Sequence, residues 1–425
     1  MNVNEFIKLA KEKNINPIQI TTTKSNNLDL DILNNRLKNF DISKSIDYSI
    51  TAHYNNKDIK VNTNYLEQDI IDIIINKANI IESNYKEIYI EDNRKTKDKI
   101  EDISFDIKKE QDEILKSHTN NNDSHITDIE AYYTILNLEK SINNSYGLDI
   151  STNKNLCVFS SEVTSKEQDN ISNIWNTTYS TKKDINIKEI IQRTKEESIC
   201  NLKKKCIESG KYNVILSSVF MSKLLFNFIS LLSKENIRKQ NSCLEGKLNK
   251  KIFGNNITII EYPNNKEYPG YNKFDNEGTE TYKKTIIDKG VLKTYLYNNK
   301  EALLDNRKST GNAYGVISAA NIYINPGNKS EEDLINSIEE GLYIKEFQST
   351  GGTVINSNNG DISVQIKGQI IKDGKKTNSF ETSILTTNIY ELLSNVVEVG
   401  NNLEFKTSIS ASPSLYVKDM SISSN

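Results

Sequence analysis

The sequence predicts an α+β fold, an N-terminal α/β layer domain followed by a β-rich C-terminal domain. Three observations carry this. The first 88 residues read helix, strands, helix, the order of a small layered domain. Most of the 17 glycines fall between Gly246 and Gly400, so the character changes after residue 211. Beyond that point short strands alternate with well-defined turns and caps.

In the N-terminal layer, Phe6, Ile7 and Ala10 recur at helical spacing and predict a first helix. Runs rich in Thr and Ile at 18–23, 28–33, 48–54 and 58–62 predict strands separated by Asn-rich turns. Leu66, Ile70, Ile71, Ile74 and Ala78 follow the 3.6-residue period of a second helix over 66–81. Residues 1–88 therefore form one domain, and the charged stretch 91–104 reads as a linker. In the central segment, 105–210, helices are expected at 105–115 and at 127–144. The latter has Thr127 as N-cap and Glu130 three residues on. Strands follow at 156–159 and 172–179, then a helix from 187 to 209, with Gly210 as its C′ residue.

The C-terminal domain, 211–425, opens on an apolar helix at 219–232. Being apolar almost all round, it is expected to be buried, with a polar change at Phe226 or Phe228 strongly destabilising. Residues 281–287 and 291–297 read as a hairpin turning through Asp288, Lys289 and Gly290. Asn325-Pro326-Gly327 is a turn. Ser330 and Asp333 form a capping box for a helix that Gly341 ends, and Gly351-Gly352 marks a bulge or close backbone approach. Strands at 362–366 and 369–371 precede an Asp373-Gly374 turn, and Asn388 starts the last helix. No fixed-period repeat is present, which excludes a solenoid.

Lys plus Arg number 54 and Asp plus Glu 57, for a formal charge of -3. The signs are mixed throughout and no basic stripe exists, so nucleic-acid binding has no electrostatic footprint. Lys203–Lys205 reads as a solvated helix end. No stretch is long and apolar enough to span a bilayer and the N-terminus has no apolar leader, so a soluble, cytoplasmic protein is expected. Cys157, Cys200, Cys206 and Cys243 form no C-x-x-C pair and read as reduced thiols.

The chemistry is defined largely by what is missing. The three histidines are His53, His118 and His125, with none after residue 125. A His-dependent triad in the C-terminal domain is thereby excluded. His118, His125 and Asp123 lack a further ligand for a catalytic zinc, and a surface loop over 120–124 explains them better. No nucleophile elbow, phosphate loop, dinucleotide fingerprint or aspartic-protease motif occurs, and Ser83 with Lys86 is an isolated S-x-x-K. Two clusters of hydrogen-bonding residues are candidate cleft-facing or loop-organising positions. One is Asp275, Glu277 and Gly278 before the hairpin. The other is Ser309, Thr310, Gly311 and Asn312. Acids such as Asp275 and Glu277 more often satisfy loop N–H groups than bind a cation.

The ordered set Phe274-Asp275-Asn276-Glu277-Gly278-Thr279-Glu280-Thr281, Ile287 to Tyr297, Ser309 to Asn312, Asn321 to Gly327, Gly341-Leu342-Tyr343, Val399 to Leu403 and Ser412 to Leu415 resembles the TldD/PmbA family. The resemblance is dense from 211 onward. It implies a two-subunit peptidase. Its TldD-type chain carries a H-E-x-x-x-H zinc helix and a C-terminal cysteine ligand, and its PmbA (TldE)-type chain lacks both. Here Phe226-Asn227-Phe228-Ile229-Ser230-Leu231 stands in the place of the zinc motif, and 403–413 contains no cysteine. Phe226 and Leu231 cannot ligate a metal, and Asn227 cannot act as general base. The resemblance therefore implies a subunit with no catalytic residues, metal or cofactor of its own. Zinc is expected on a TldD-type partner in a heterodimer, or a homodimer forms without that partner, and peptides are the substrates. The family has also been labelled a modulator of DNA gyrase. The alternatives are a stand-alone peptide-binding pseudo-protease of chaperone type and a lone enzyme using Cys243 or the Asp275/Glu277 pair.

Overall fold

The computed structural model describes residues 1–82, 89–118, 123–349 and 353–424, with all side chains in these ranges except that of residue 118. Ser83 and Lys86, 120–122, and Gly351 with Gly352 lie outside the described residues.

The N-terminal half is organised by one seven-stranded sheet. Its strands are β1 (Ile18–Leu33), β2 (Arg36–Tyr54), β3 (Lys57–Thr63), β4 (Lys95–Asp98), β5 (Ile126–Asn144), β6 (Asp149–Glu167) and β7 (Asn170–Ser180). The spatial order is β3-β2-β1-β5-β6-β4, with β7 also on β6. Helices α1 (Val3–Glu12) and α2 (Gln68–Ile80) pack Phe6, Ala10, Ile70 and Ile74 against Ile18, Ile20, Ile50 and Ile59. Asn2 caps α1 in a full capping box with Glu5. A second cluster joins Leu28, Leu30, Tyr133 and Phe159 to Ile114 of α3 (Ile107–His118) and Ile190 and Ile191 of α4 (Ile187–Cys200).

Several expectations are corrected here. The segment 127–144 is strand β5, not a helix. Its burial alternates at Ile129, Ala131, Tyr133 and Ile135. Pairing on both sides, with β1 and β6, outweighs the local Thr127–Glu130 capping pattern. The runs at 18–23 and 28–33 are one continuous strand, because Lys24 to Asn27 keep their ladder partners in β2 and β5. The stretch 91–104 is no simple linker, since β4 pairs in parallel with β6. One sheet thus draws on both 1–88 and 105–210, so residue 88 does not divide the sheet. Helix α4 stops at Cys200 rather than 209, and exposed Lys204–Lys205 become a short strand, β8, beside Ser379 and Phe380.

The C-terminal half contains β9 (Gly210–Leu216), β10 (Ile259–Glu261), β11 (Lys284–Asp288), β12 (Val291–Leu292), β13 (Ala313–Tyr314), β14 (Val316–Ile317), β15 (Ile322–Ile324) and β16 (Glu340–Ser349). It continues with β17 (Asp361–Lys372), β18 (Lys375–Phe380), β19 (Ser383–Asn388), β20 (Val396–Val399), β21 (Glu404–Phe405), β22 (Ser410–Ser412) and β23 (Leu415–Ser424). One sheet runs β16-β9-β23-β19-β17-β18-β8, and the added pairing of β16 with β17 closes β16, β9, β23, β19 and β17 into a ring. A six-stranded sheet, β12-β11-β10-β15-β22-β21, lies beside it.

The helix α5 (Ser218–Phe228) packs against β15, β16 and β22, and its side chains Phe220, Leu224 and Phe228 enter the largest core cluster. Phe220 meets Phe347 edge-on with ring centroids 4.9 Å apart. Burial is not all round: Phe228 is 1% exposed but Phe226 is 49% exposed. A 3-10 turn over Ile229–Leu232 tightens the helix end and rotates Leu231 and Leu232 inward.

The remaining helices are short: α6 (Lys234–Arg238), α7 (Asn299–Leu304), α8 (Glu331–Asn336) and α9 (Ile389–Ser394). Ser330 and Asp333 form the expected capping box of α8, but the helix ends at Asn336 and Gly341 lies in β16. No Cβ could be tolerated at Gly341, because it would come within 2.4 Å of the Asn213 carbonyl oxygen. The hairpin turn is as the sequence predicts, with Lys289 and Gly290 both at positive φ. The Asp373-Gly374 turn likewise joins β17 to β18 with both residues at positive φ. No described helix is long and apolar enough to cross a membrane.

Candidate functional site

The two candidate loops meet. Asp275 is fully buried, and its carboxylate accepts three backbone N–H groups. Oδ1 takes those of Glu277 and Thr279 at 2.9 and 3.0 Å, and Oδ2 takes that of Ala313 at 3.1 Å. The first two fold the 275–279 turn on itself, and the third ties it to the strand that follows Asn312. Glu277 Oε2 accepts the Asn299 N–H at 2.8 Å, at the start of α7. Gly278 has φ +86°, and its carbonyl accepts a hydrogen bond from Arg94 Nη2 at 2.8 Å.

The second loop is held to Tyr297, beyond the end of β12. Thr310 Oγ1 accepts the Tyr297 N–H at 2.7 Å, and Ser309 Oγ donates to the Tyr297 carbonyl at 3.1 Å. Gly311 has φ +71°, and a Cβ there would lie 2.9 Å from the Glu280 carbonyl oxygen. Asn312 joins a buried polar network that the sequence did not reveal. Its Nδ2 donates to Glu261 Oε1 at 2.8 Å and to the Ser318 carbonyl at 2.7 Å. Its Oδ1 accepts from Lys284 Nζ, which also contacts Glu261 Oε2 at 2.8 Å. The Ala320 N–H completes the coordination of Glu261 at 3.0 Å. These contacts cross-link β10, β11 and the 309–320 loop.

Burial raises the Asp275 carboxyl to about 6, against the opposing pull of its N–H donors and of Lys140. Lys140, on β5, is 7% exposed and is pushed down to about 7 by burial, with Asp275 acting in the opposite sense. Its Nζ donates to Asn276 Oδ1 at 2.6 Å and lies 5.4 Å from the centre of the Phe274 ring. Lys140 is thus one of the residues through which the N-terminal sheet engages the 274–279 loop, beside Gln19, whose amide donates to the Asn276 carbonyl, and Ile142, Leu148 and Ile150, which pack on Phe274. Reading β5 as a helix hid this placement, because only a strand period puts Lys140 on the face of Leu138 and Ile142.

Residues 226–231 offer a largely hydrocarbon surface. Phe226 projects from α5, Leu231 is buried, and Asn227 Nδ2 donates to the Lys223 carbonyl of the preceding turn at 2.8 Å. Ser230 Oγ donates to the Asn227 carbonyl at 3.1 Å. This donor set does not fit a zinc ion, which takes imidazole, thiolate or carboxylate ligands.

Among the described residues, no three His, Cys, Asp or Glu side chains gather at metal-binding distance. His53 Nδ1 pairs with Asp58 and His125 Nδ1 with Asp123, each at 2.7 Å. Cys243 packs against the main core and burial raises its thiol, the opposite of what an activated nucleophile requires. Burial also lifts Cys157, to about 11, and a hydrogen bond to Glu381 raises exposed Cys206.

The C-terminal body is made of a closed strand ring, a flanking sheet and an apolar helix packed between them. Residues 209–424 match the model of the PmbA/TldA metallopeptidase C-terminal domain. The chain belongs to the PmbA/TldD family. It is 26% identical to a metalloprotease of Methanocaldococcus jannaschii over 368 residues, 81% of this chain and 80% of that one. It is 27% identical to a metalloprotease PmbA homologue of Buchnera aphidicola (from Acyrthosiphon pisum) over 237 residues, 55% of this chain and about half, 51%, of the relative.

Two solved structures share the whole fold. One is a Thermotoga maritima protein described as a proposed modulator of a DNA gyrase, with TM-score 0.87, 25% identity and 99% of both chains covered. The other is TldE from Thermococcus kodakarensis, with TM-score 0.83, 17% identity and 99% of both chains covered. The second likeness is one of fold alone.

Proposed function

We propose that this chain is the zinc-less subunit of a TldD/TldE-type metalloprotease, which degrades or processes unfolded peptides in the cytoplasm. Catalysis resides on a partner that carries the H-E-x-x-x-H helix and its zinc. The observation that carries the proposal is the chemistry of 226–231. Phe226 and Leu231 stand where two histidine ligands are needed, and Asn227 stands where a general base is needed. The family membership and the metalloprotease names of the relatives support a peptidase role.

The interlocked loops at Asp275–Gly278 and Ser309–Asn312 give the subunit a rigid frame. Their polar groups are largely consumed by one another, which suits a scaffold better than a reacting centre. A lone enzyme using Cys243 has a raised thiol against it.

The test is a peptidase assay on an unstructured peptide. The purified chain is measured alone and then mixed with the H-E-x-x-x-H homologue of the same organism, with and without a zinc chelator. Activity confined to the mixture and abolished by chelator is the expected result. Chelator-resistant activity from the chain alone would overturn the proposal.

A further inference from the structure

A cavity of about 370 Å³ lies between the N-terminal sheet and the C-terminal loops. Its floor is one face of three strands. Thr23, Lys140 and Thr152 are direct cross-strand neighbours on β1, β5 and β6, and Leu138 faces Lys154 in the next row. Lys140 and Lys154 are therefore diagonal neighbours on one face, close enough for long side chains to converge. The roof is formed by Tyr271 and Asn276 on one side and by Tyr314, Ala319 and Ile409 on the other.

The polar groups of this cavity are unevenly satisfied. Lys140 has Asn276 and the nearby Asp275 charge. Tyr271 donates its hydroxyl to Asp98, which also holds Lys266, and its own hydroxyl oxygen faces Thr152. Lys154 differs: burial lowers its ammonium, the nearby Lys140 is a like charge, and among the described residues it has no ion-pair partner. The Tyr314 hydroxyl is buried without a hydrogen-bond partner among the described residues. A half-buried ammonium and a buried hydroxyl that lack acceptors are costly, and such groups mark a place where a ligand supplies the missing acceptor.

With Lys140 offset by Asp275, the cavity holds one uncompensated positive charge, beside the apolar walls of Leu138, Ala319 and Ile409. A single negative charge on a carbon skeleton complements it better than a dianion does. We propose that this cavity is a carboxylate-binding subsite for peptides, with Lys154, Lys140 and the Tyr314 hydroxyl as its donors. The choice of a peptide rests on the peptidase reading above. The carboxylate is either a C-terminus or an acidic side chain.

The test uses three oligoalanine peptides carrying an uncharged BODIPY label: one with a free C-terminus, its C-terminal amide, and an amide carrying one internal Glu. Binding to the full chain is followed by fluorescence anisotropy. The free acid, the Glu peptide or both should bind roughly tenfold more tightly than the plain amide, as for a hydrogen-bonded charge. Which of the two gains identifies the source of the carboxylate.

Tyr314→Phe and Lys154→Met should each bring the affinity for the preferred peptide down to that for the amide and leave amide binding unchanged. A merely unfolded variant would lose both. Equal affinity for all three peptides, no binding of any, or a preference untouched by both substitutions overturns the proposal. Carboxylate preference without peptidase activity in the two-subunit mixture would sink the subunit reading and spare this one. Activity without the preference would do the reverse.

Discussion

Lys284 Nζ lies 2.8 Å from Glu261 Oε2, with the two side chains 6% and 0% exposed. The pair sits under the 309–320 loop, and Asn312 bridges both members. Removing one partner of such a pair leaves a buried charge, whereas removing both is far milder. Lys284→Met should destabilise the protein by about 3–5 kcal/mol. The double variant Lys284→Met/Glu261→Gln should recover part of that loss. Urea denaturation of the native, single and double variants checks this, and an equally destabilised double variant would contradict it.

Phe226 and Phe228 are two residues apart on α5 and should behave oppositely. Phe228→Ala empties a site in the main core and should cost about 3–5 kcal/mol. Phe226→Ala removes a half-exposed ring and should cost less than about 1 kcal/mol. Thermal or chemical denaturation of the two variants separates them. Equal losses would mean that α5 is oriented differently.

Gly311 and Gly315 both have positive φ, at +71° and +88°, but differ in surroundings. A Cβ on Gly315 meets nothing within 4 Å, whereas one on Gly311 meets the Glu280 carbonyl at 2.9 Å. Gly315→Ala should therefore cost only the left-handed strain, about 1 kcal/mol. Gly311→Ala should cost clearly more, because the added backbone clash must be relieved by moving the Glu280 segment. Equilibrium unfolding of both variants measures the difference.

Lys140 and Asp275 give the stability a defined pH dependence. The Lys140 ammonium is lowered from 10.5 to about 7 in the folded protein. Between these values the unfolded chain binds more protons, so stability rises with pH. The Asp275 carboxyl is raised from 3.8 to about 6, so the folded protein binds more protons across that window and stability falls as pH rises. The two groups thus place a minimum near neutral pH. Between pH 7 and 9 the native protein should gain about 2–3 kcal/mol relative to Lys140→Met. Denaturant titrations at the two pH values test this, and parallel behaviour of the two proteins would refute it.

Much of the frame is legible in the sequence where local chemistry is decisive. The Ser330–Asp333 capping box, the Gly290 hairpin turn and the 3.6-residue spacing of Ile70, Ile71 and Ile74 all correspond to elements as formed. Long-range pairing is where local signals mislead. Thr127 and Glu130 mimic a helix start, and Ile135, Leu138 and Ile142 also fit a helical spacing. Partners on β1 and β6, distant in sequence, decide the matter.

The same limit applies to the candidate site. Asp275 and Asn312 stand out by their turn chemistry. Lys140, Lys154, Glu261, Lys284 and Tyr314 carry no local mark. They acquire meaning only when the sheet and the loops bring them together.

The ring of strands in the C-terminal half has a further consequence, for synthesis on the ribosome. Its strand β9 lies between β16 and β23, so Gly210 pairs with Ile422 and Val214 with Leu342. When residues 210–216 leave the exit tunnel, neither neighbour has been translated. The apolar run Val214–Leu216 and the helix after it must then wait, unpaired, while the rest of the domain is made. Nascent chains stalled before residue 415 should hold this strand open to chaperones and proteases, and emergence of β23 should close it.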